Sequence, residues 1–85
     1  MPKVCEFHGI EIYVHWREHN PPHFHAVAGG DELLVEMNEL RRIRGRPRAA
    51  ERLVWEWADL HREELLQNWA LAQKREPLNT VDPLD

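Results

Sequence analysis

The sequence predicts an α+β domain in which a three-stranded antiparallel meander is followed by two helices packed on one face. Residues 10–16 alternate apolar and polar side chains with the period of two that is typical of a half-buried strand. Two further extended segments follow at 23–28 and 33–37, separated by a glycine pair that favours a tight turn. Residues 48–75 contain neither proline nor glycine and repeat apolar side chains at helical spacing.

The order of these segments predicts one domain over residues 1–85. A single straight helix over the last segment would be about 42 Å long, whereas a compact domain of this size has a radius of gyration of roughly 12 Å. We therefore expect the helical segment to break near residues 59–62. The predicted parts are a sheet over about 3–38, an arginine-rich connector over 39–47, helices over 48–75 and a short tail over 76–85.

Composition restricts the classes of function. The chain has 85 residues, a net charge of −4 and no apolar run approaching the ~20 residues of a membrane span. Its start lacks the apolar region of a signal peptide, and its only cysteine, Cys5, cannot form an internal disulfide. We expect a cytoplasmic protein that does not enter membranes, and the small size is compatible with a homo-oligomer.

The strand pattern assigns side chains to two faces of the sheet. If the helices cover one face, the apolar side chains of the three strands point inward. The predicted inward set is Ile10, Ile12, Val14, Trp16, Phe24, Ala26, Ala28, Leu33, Val35 and Met37. The opposite face then carries Tyr13, His15, His23, His25 and Glu36. Because cross-strand neighbours lie about 5 Å apart, these side chains are near enough to converge on one ion or phosphate.

Residues 15–25 contain four of the six histidines, and they are the leading candidates for a functional site. A histidine cluster can transfer protons, bind a phosphate or hold a metal. The candidates for acid–base catalysis are His15, Glu18, His19, His23 and His25. The candidate ligands for zinc or another transition metal are His15, His23, His25 and Glu36, although no strong zinc motif is present. The structural alternative is that these histidines hydrogen-bond loop carbonyls beside the Pro-Pro turn.

The predicted connector is strongly basic. Its candidate phosphate-binding residues are Arg41, Arg42, Arg44, Arg46 and Arg48. Five arginines in eight residues could position the phosphates of RNA. The same run could instead form a docking surface for an acidic protein, and the overall negative charge argues against bulk attraction to nucleic acid.

Two segments closely resemble the bacterial domain-of-unknown-function four-one-six-zero (DUF4160) family. The first is residues 18–26, Glu-His-Asn-Pro-Pro-His-Phe-His-Ala, and the second is residues 57–66, Trp-Ala-Asp-Leu-His-Arg-Glu-Glu-Leu-Leu. The resemblance implies a gene that lies beside a second small gene in a toxin–antitoxin-like pair, and hence an operon-encoded protein partner. By that analogy this chain is the toxin-like member. The family provides no established catalytic residues.

Three functions are consistent with these patterns. The first is a toxin-like protein that binds or acts on RNA through the histidines, with the arginines positioning the phosphates. The second is a non-enzymatic interaction module that binds its operon partner through a sheet face or edge. The third is a transition-metal-binding protein.

Overall fold

The structure is a computed structural model, and it describes residues 3–16, 19–45 and 51–85. The strands of this part of the chain are β1 (Lys3–Phe7), β2 (Ile10–Tyr13), β3 (His23–Ala28), β4 (Asp31–Glu36) and β5 (Arg41–Arg44). The helices are α1 (Glu51–Leu60) and α2 (Arg62–Gln73). The described strands all precede the helices, so the chain has an α+β fold.

The sheet is antiparallel and its five strands lie in chain order, so the predicted three-stranded meander is wrong. β2, β3 and β4 lie within or close to the three predicted segments, while β1 and β5 add a strand on each side. β1 joins β2 through a turn in which His8 and Gly9 both have positive φ, of 50° and 77°. β5 lies within the segment that the sequence predicted to be a connector.

Irregular pairing explains why the sequence pattern did not reveal the two added strands. The pairing of β1 with β2 shifts between Lys3 and Cys5, and the pairing of β4 with β5 shifts between Leu34 and Val35. A shift of one residue moves the side chains that follow to the other face, which erases a regular alternation. β5 is also exposed at all four residues, so no buried apolar side chain marks it as a strand.

The apolar face of the three central strands is buried, largely as predicted. Its buried members are Ile10, Ile12, Val14, Phe24, Ala26, Leu33, Val35 and Met37. Ala28 is only partly buried but packs against this core. The prediction for Trp16 is wrong, because its side chain is 51% exposed. β2 ends at Tyr13, so the alternation of the strand no longer sets the direction of the Trp16 side chain.

The two helices meet at His61, within the interval where the sequence predicted a break. Trp57 of α1 is fully buried, and its ring centroid lies 5.4 Å from that of Phe7 and 5.9 Å from that of Phe24. Leu65 and Ala72 of α2 are also fully buried. The helices thus complete a core whose other half is the apolar side of the sheet.

The tail after α2 is tied to β1 and to both helices. The backbone N–H of Val81 donates to the carbonyl oxygen of Val4 at 2.8 Å. The indole N–H of Trp57 donates to the carbonyl oxygen of Asp82, and the side-chain amide of Asn68 exchanges two hydrogen bonds with the backbone of Asn79.

Neither helix of the described chain combines the length and apolar content that crossing a bilayer would require.

Candidate functional site

The side of the sheet opposite the apolar core, called here the polar face, brings three histidine rings together. Tyr13 pairs with His25, so the alternation of the strands places Tyr13, His23 and His25 on this face. His15 lies two residues beyond the end of β2, and its ring contacts with Tyr13 and His25 place it beside them. The ring centroid of His25 lies 4.2 Å from that of His15 and 5.2 Å from that of His23. The strand pattern predicted that these three residues lie together, and their ring contacts confirm it. Their convergence on one ion or phosphate stays a prediction.

An aromatic residue borders the cluster at each end. The ring of Tyr13 stacks on His15, with centroids 5.9 Å apart and planes only 7° from parallel. At the other end, the ring centroid of Trp69 lies 5.3 Å from that of His23. The cluster is therefore a continuous row of five rings running from β2 to α2.

Hydrogen bonds at Nδ1 orient two of the histidines. Nδ1 of His23 lies 2.8 Å from the carbonyl oxygen of Pro21, and Nδ1 of His25 lies 2.9 Å from Oε2 of Glu32. Because a carbonyl and a carboxylate can only accept, Nδ1 must carry the proton in both rings. Nε2 of each neutral ring then carries the lone pair. A proton-accepting nitrogen held in place by a carboxylate on the opposite side of the ring is the arrangement required of a histidine general base.

Glu36 has a structural role in the turn between β4 and β5. Its register opposite His23 places it on the polar face, as predicted. Its Oε2 accepts the backbone N–H of Asn38 at 2.7 Å, and its Oε1 accepts that of Glu39 at 2.8 Å. Both carboxylate oxygens thus secure the backbone of the turn.

The predicted metal site gains no support from the described side chains. Across residues 3–16, 19–45 and 51–85, no group of three or more His, Cys, Asp and Glu side chains is arranged to hold a metal ion. Metal binding by His15, His23, His25 and Glu36 therefore stays a prediction.

The remaining predicted catalytic residues are exposed or lie outside the described chain. His19 is exposed in the segment before β3. Glu18 lies outside the described residues, as do Arg46 and Arg48 of the predicted phosphate-binding set.

The three described arginines of that set belong to β5 and diverge from one another. Arg41 pairs with Glu36 and Arg44 with Leu34, so both follow the polar face. Arg42 pairs with Val35 of the apolar face, and its guanidinium lies 3.6 Å from a carboxylate oxygen of Glu51 at the start of α1. Arg41 is separated from His23 by one intervening strand, a lateral distance of about 10 Å at the usual strand spacing.

The model of one protein family, a domain of unknown function named DUF4160, matches residues 9–70 of the chain. The chain belongs to this family. The match includes β2, β3, β4, β5 and α1, and therefore all three clustered histidines. No curated protein and no solved structure matches this DUF4160 chain.

Sequence reasoning missed Glu32 as a site residue of the DUF4160 domain. The sequence nevertheless contained the information needed to place Glu32. A two-residue turn at the glycine pair sets Ala28 opposite Asp31 and thereby fixes the register of β3 and β4. That register places Glu32 diagonally across from His25 on the same face, within reach of a long side chain. The contact of Trp69 with His23 carried no such signal, because it joins distant parts of the chain.

Proposed function

We propose that this DUF4160 domain is a toxin-like protein that binds single-stranded RNA on its polar face and cleaves it by metal-independent acid–base catalysis. The observation that carries the proposal is the convergence of His15 and His25, with His25 oriented by the carboxylate of Glu32. Two imidazoles are sufficient for this reaction, because the ribose 2′-hydroxyl is itself the nucleophile and the chain need not supply one.

The proposed roles follow from the geometry of each ring. His25 is the general base, because its Nδ1–H donates to the carboxylate of Glu32, which orients the ring and assigns the acceptor role to Nε2. Nε2 takes the proton of the 2′-hydroxyl while O2′ forms a bond to phosphorus and the bond from phosphorus to O5′ breaks. His15, as the imidazolium, gives its proton to O5′. The products are a 2′,3′-cyclic phosphate and a free 5′-hydroxyl, so atoms and charge balance.

The aromatic row supports RNA as the ligand. Tyr13 and His15 are half-buried and nearly parallel, so their rings offer a partly exposed aromatic surface. Single-stranded RNA is recognised in large part by stacking of its bases on such rings. His23 is a positioning residue in this proposal, because its hydrogen bond to Pro21 and its contact with Trp69 hold it against His25.

Incubation of tag-free protein with a short uridine oligonucleotide tests the reaction. We expect a product ending in a 2′,3′-cyclic phosphate, a rate unchanged by EDTA, and no cleavage of the 2′-deoxy oligonucleotide. His25→Gln should lower the rate about 10²- to 10⁴-fold, the usual contribution of a general acid or base. His8→Asn is the matched control, because His8 is an exposed histidine in the β1–β2 turn.

Glu32→Gln separates positioning from a general loss of structure. A buried carboxylate that orients a catalytic histidine contributes up to about 10⁴-fold, but the side chain of Glu32 is 45% exposed. We therefore expect a smaller loss, about 10- to 10²-fold, that falls on kcat and leaves KM unchanged. Absence of cleavage by the wild-type protein, or equal cleavage by His25→Gln, would refute the catalytic proposal.

The toxin-like role has its own test in growing bacteria. Induced expression of the wild-type chain should slow growth, and His25→Gln expressed to the same level should not. Equal growth of the two strains in the presence of demonstrated cleavage in vitro would mean that the reaction serves a purpose other than growth arrest.

A further inference from the structure

The two edges of the sheet differ in what covers them. At the β1 edge, the tail lies alongside the strand, with the backbone N–H of Val81 bonded to the carbonyl oxygen of Val4. Val81 is buried there, and the tail is held by the indole of Trp57. At the other edge, β5 is the last strand of the described sheet and all four of its residues are exposed. An edge strand of this kind presents backbone N–H and C=O groups that another extended segment can pair with.

The side chains of β5 decide which segment fits. Arg41 and Arg44 are exposed along the polar face, and Ile43 between them is 47% exposed. Arg41 also contacts Glu39 at 2.9 Å, but both side chains of that pair are largely exposed, so the contact contributes little and is easily exchanged. The edge therefore combines a strand that has no outer neighbour among residues 3–16, 19–45 and 51–85, two arginines on one face and an apolar side chain.

Charge disfavours a second copy of the chain at this edge. Antiparallel pairing of β5 with its own copy, centred on the strand, would set Arg41 opposite Arg44 in both directions. Like charges directly opposite each other in a sheet are destabilising. A positively charged edge strand repels a second copy of itself, but it attracts a strand that carries negative charge.

We propose that β5 is a docking edge that adds one extended acidic segment of a different protein as a sixth strand. Backbone hydrogen bonds supply the pairing, and carboxylates at alternate positions of the added strand meet Arg41 and Arg44. The segment needs four to six residues in extended conformation to span β5, roughly the length of an ordinary strand. RNA fits this edge less well, because it cannot continue the backbone ladder.

A pair of matched peptides tests the proposal with the intact protein. The probe is a synthetic eight-residue peptide, about the length of an ordinary strand, that alternates glutamate and threonine, and its controls carry lysine for glutamate or proline for threonine. In a ¹⁵N NMR titration, we expect the glutamate–threonine peptide to shift the amides of residues 41–44 and to protect them from exchange. The lysine peptide reverses the charge, and the proline peptide keeps the charge but cannot form the ladder. Neither control should produce these changes.

Single charge reversals locate the contact on the protein. Arg44→Glu should weaken binding of the acidic peptide by about tenfold or more, as expected when like charges are placed together at an interface. Lys3→Glu, an equal reversal on β1 at the opposite edge of the sheet, should change the affinity by less than about twofold, because four strand spacings, about 19 Å, separate the two edges and salt screens charges at that distance. Unchanged amide shifts away from each substituted residue confirm that both variants remain folded.

Three outcomes of these titrations would overturn the proposal of a docking edge. If a uridine oligonucleotide shifts the amides of β5 and the acidic peptide does not, the arginines contact phosphate. If dilution of the free protein changes these shifts, the edge pairs with a second copy. If the proline peptide binds as well as the threonine peptide, the contact is electrostatic and involves no added strand. Because this titration does not depend on RNA cleavage, it tests the docking edge independently of the proposed histidine site.

Discussion

Replacement of Trp57 by alanine tests the packing of the helices on the sheet more directly than any other single change. Trp57 is fully buried, and its ring packs against Phe7 of β1 and Phe24 of β3. Its indole N–H also donates to the carbonyl oxygen of Asp82 at 2.8 Å, which fixes the tail. The substitution therefore removes contacts with three separate parts of the chain.

The expected loss in the free energy of unfolding is about 3–5 kcal/mol, the usual cost of truncating a buried aromatic residue to alanine. The lost hydrogen bond to the carbonyl oxygen of Asp82 is part-buried and contributes about 0.5–1.5 kcal/mol of this loss. A chain of 85 residues has a total stability of roughly 4–13 kcal/mol at 0.05–0.15 kcal/mol per residue. Trp57→Ala should thus remove a large fraction of the stability of the whole domain.

Urea unfolding followed by circular dichroism measures the loss. Trp57→Phe keeps an aromatic ring against Phe7 and Phe24 but removes the N–H donor, so it should cost only about 1–2 kcal/mol. Trp16→Ala is the matched control, because Trp16 is 51% exposed and its truncation should lie within about 0.5 kcal/mol of wild type. A loss below about 1 kcal/mol for Trp57→Ala would refute the packing argument.

Three further predictions concern the thiol, the tail and the turn. Burial raises the pKa of the Cys5 thiol, so at alkaline pH the folded protein keeps a proton that the unfolded chain releases. The free energy of unfolding should therefore fall as pH rises beyond the usual range of thiol pKa values. Iodoacetamide at about pH 8 should react with Cys5 only after denaturant is added. Asn68→Ala removes two hydrogen bonds to Asn79 and should cost about 1–3 kcal/mol, with faster hydrogen exchange of the tail amides as the specific readout; unchanged exchange would contradict the tie. Glu36→Gln leaves one of the two turn N–H groups without its acceptor and should cost about 1–3 kcal/mol in urea unfolding, whereas the exposed Glu39→Gln should be nearly neutral.

The strand pattern of the sequence predicted one part of the histidine site and not another. Alternation along β3 correctly predicted that His23 and His25 share a face, because the direction of a side chain in a strand depends only on its position. The prediction for His15 was also correct, but His15 lies beyond the end of β2, and its ring contact with His25 is what places it there. The same reasoning did not identify the partners of the rings. Pro21 and Glu32 hold Nδ1 of His23 and His25, and these hydrogen bonds depend on the register of the hairpin and on the path of the loop before it.

The extent of the sheet depended on tertiary structure. The sequence by itself determined the three central strands, the two helices and the buried side chains that join them, because each of these carries a periodic apolar pattern set by local geometry. β1 and β5 carry no such pattern, since their ladders are interrupted and β5 buries none of its residues. They are strands because a neighbouring strand satisfies their backbone, and that neighbour is provided only when the whole sheet forms. Tertiary structure likewise decided which edge of the sheet the tail covers, because that depends on contacts between residues far apart in the chain.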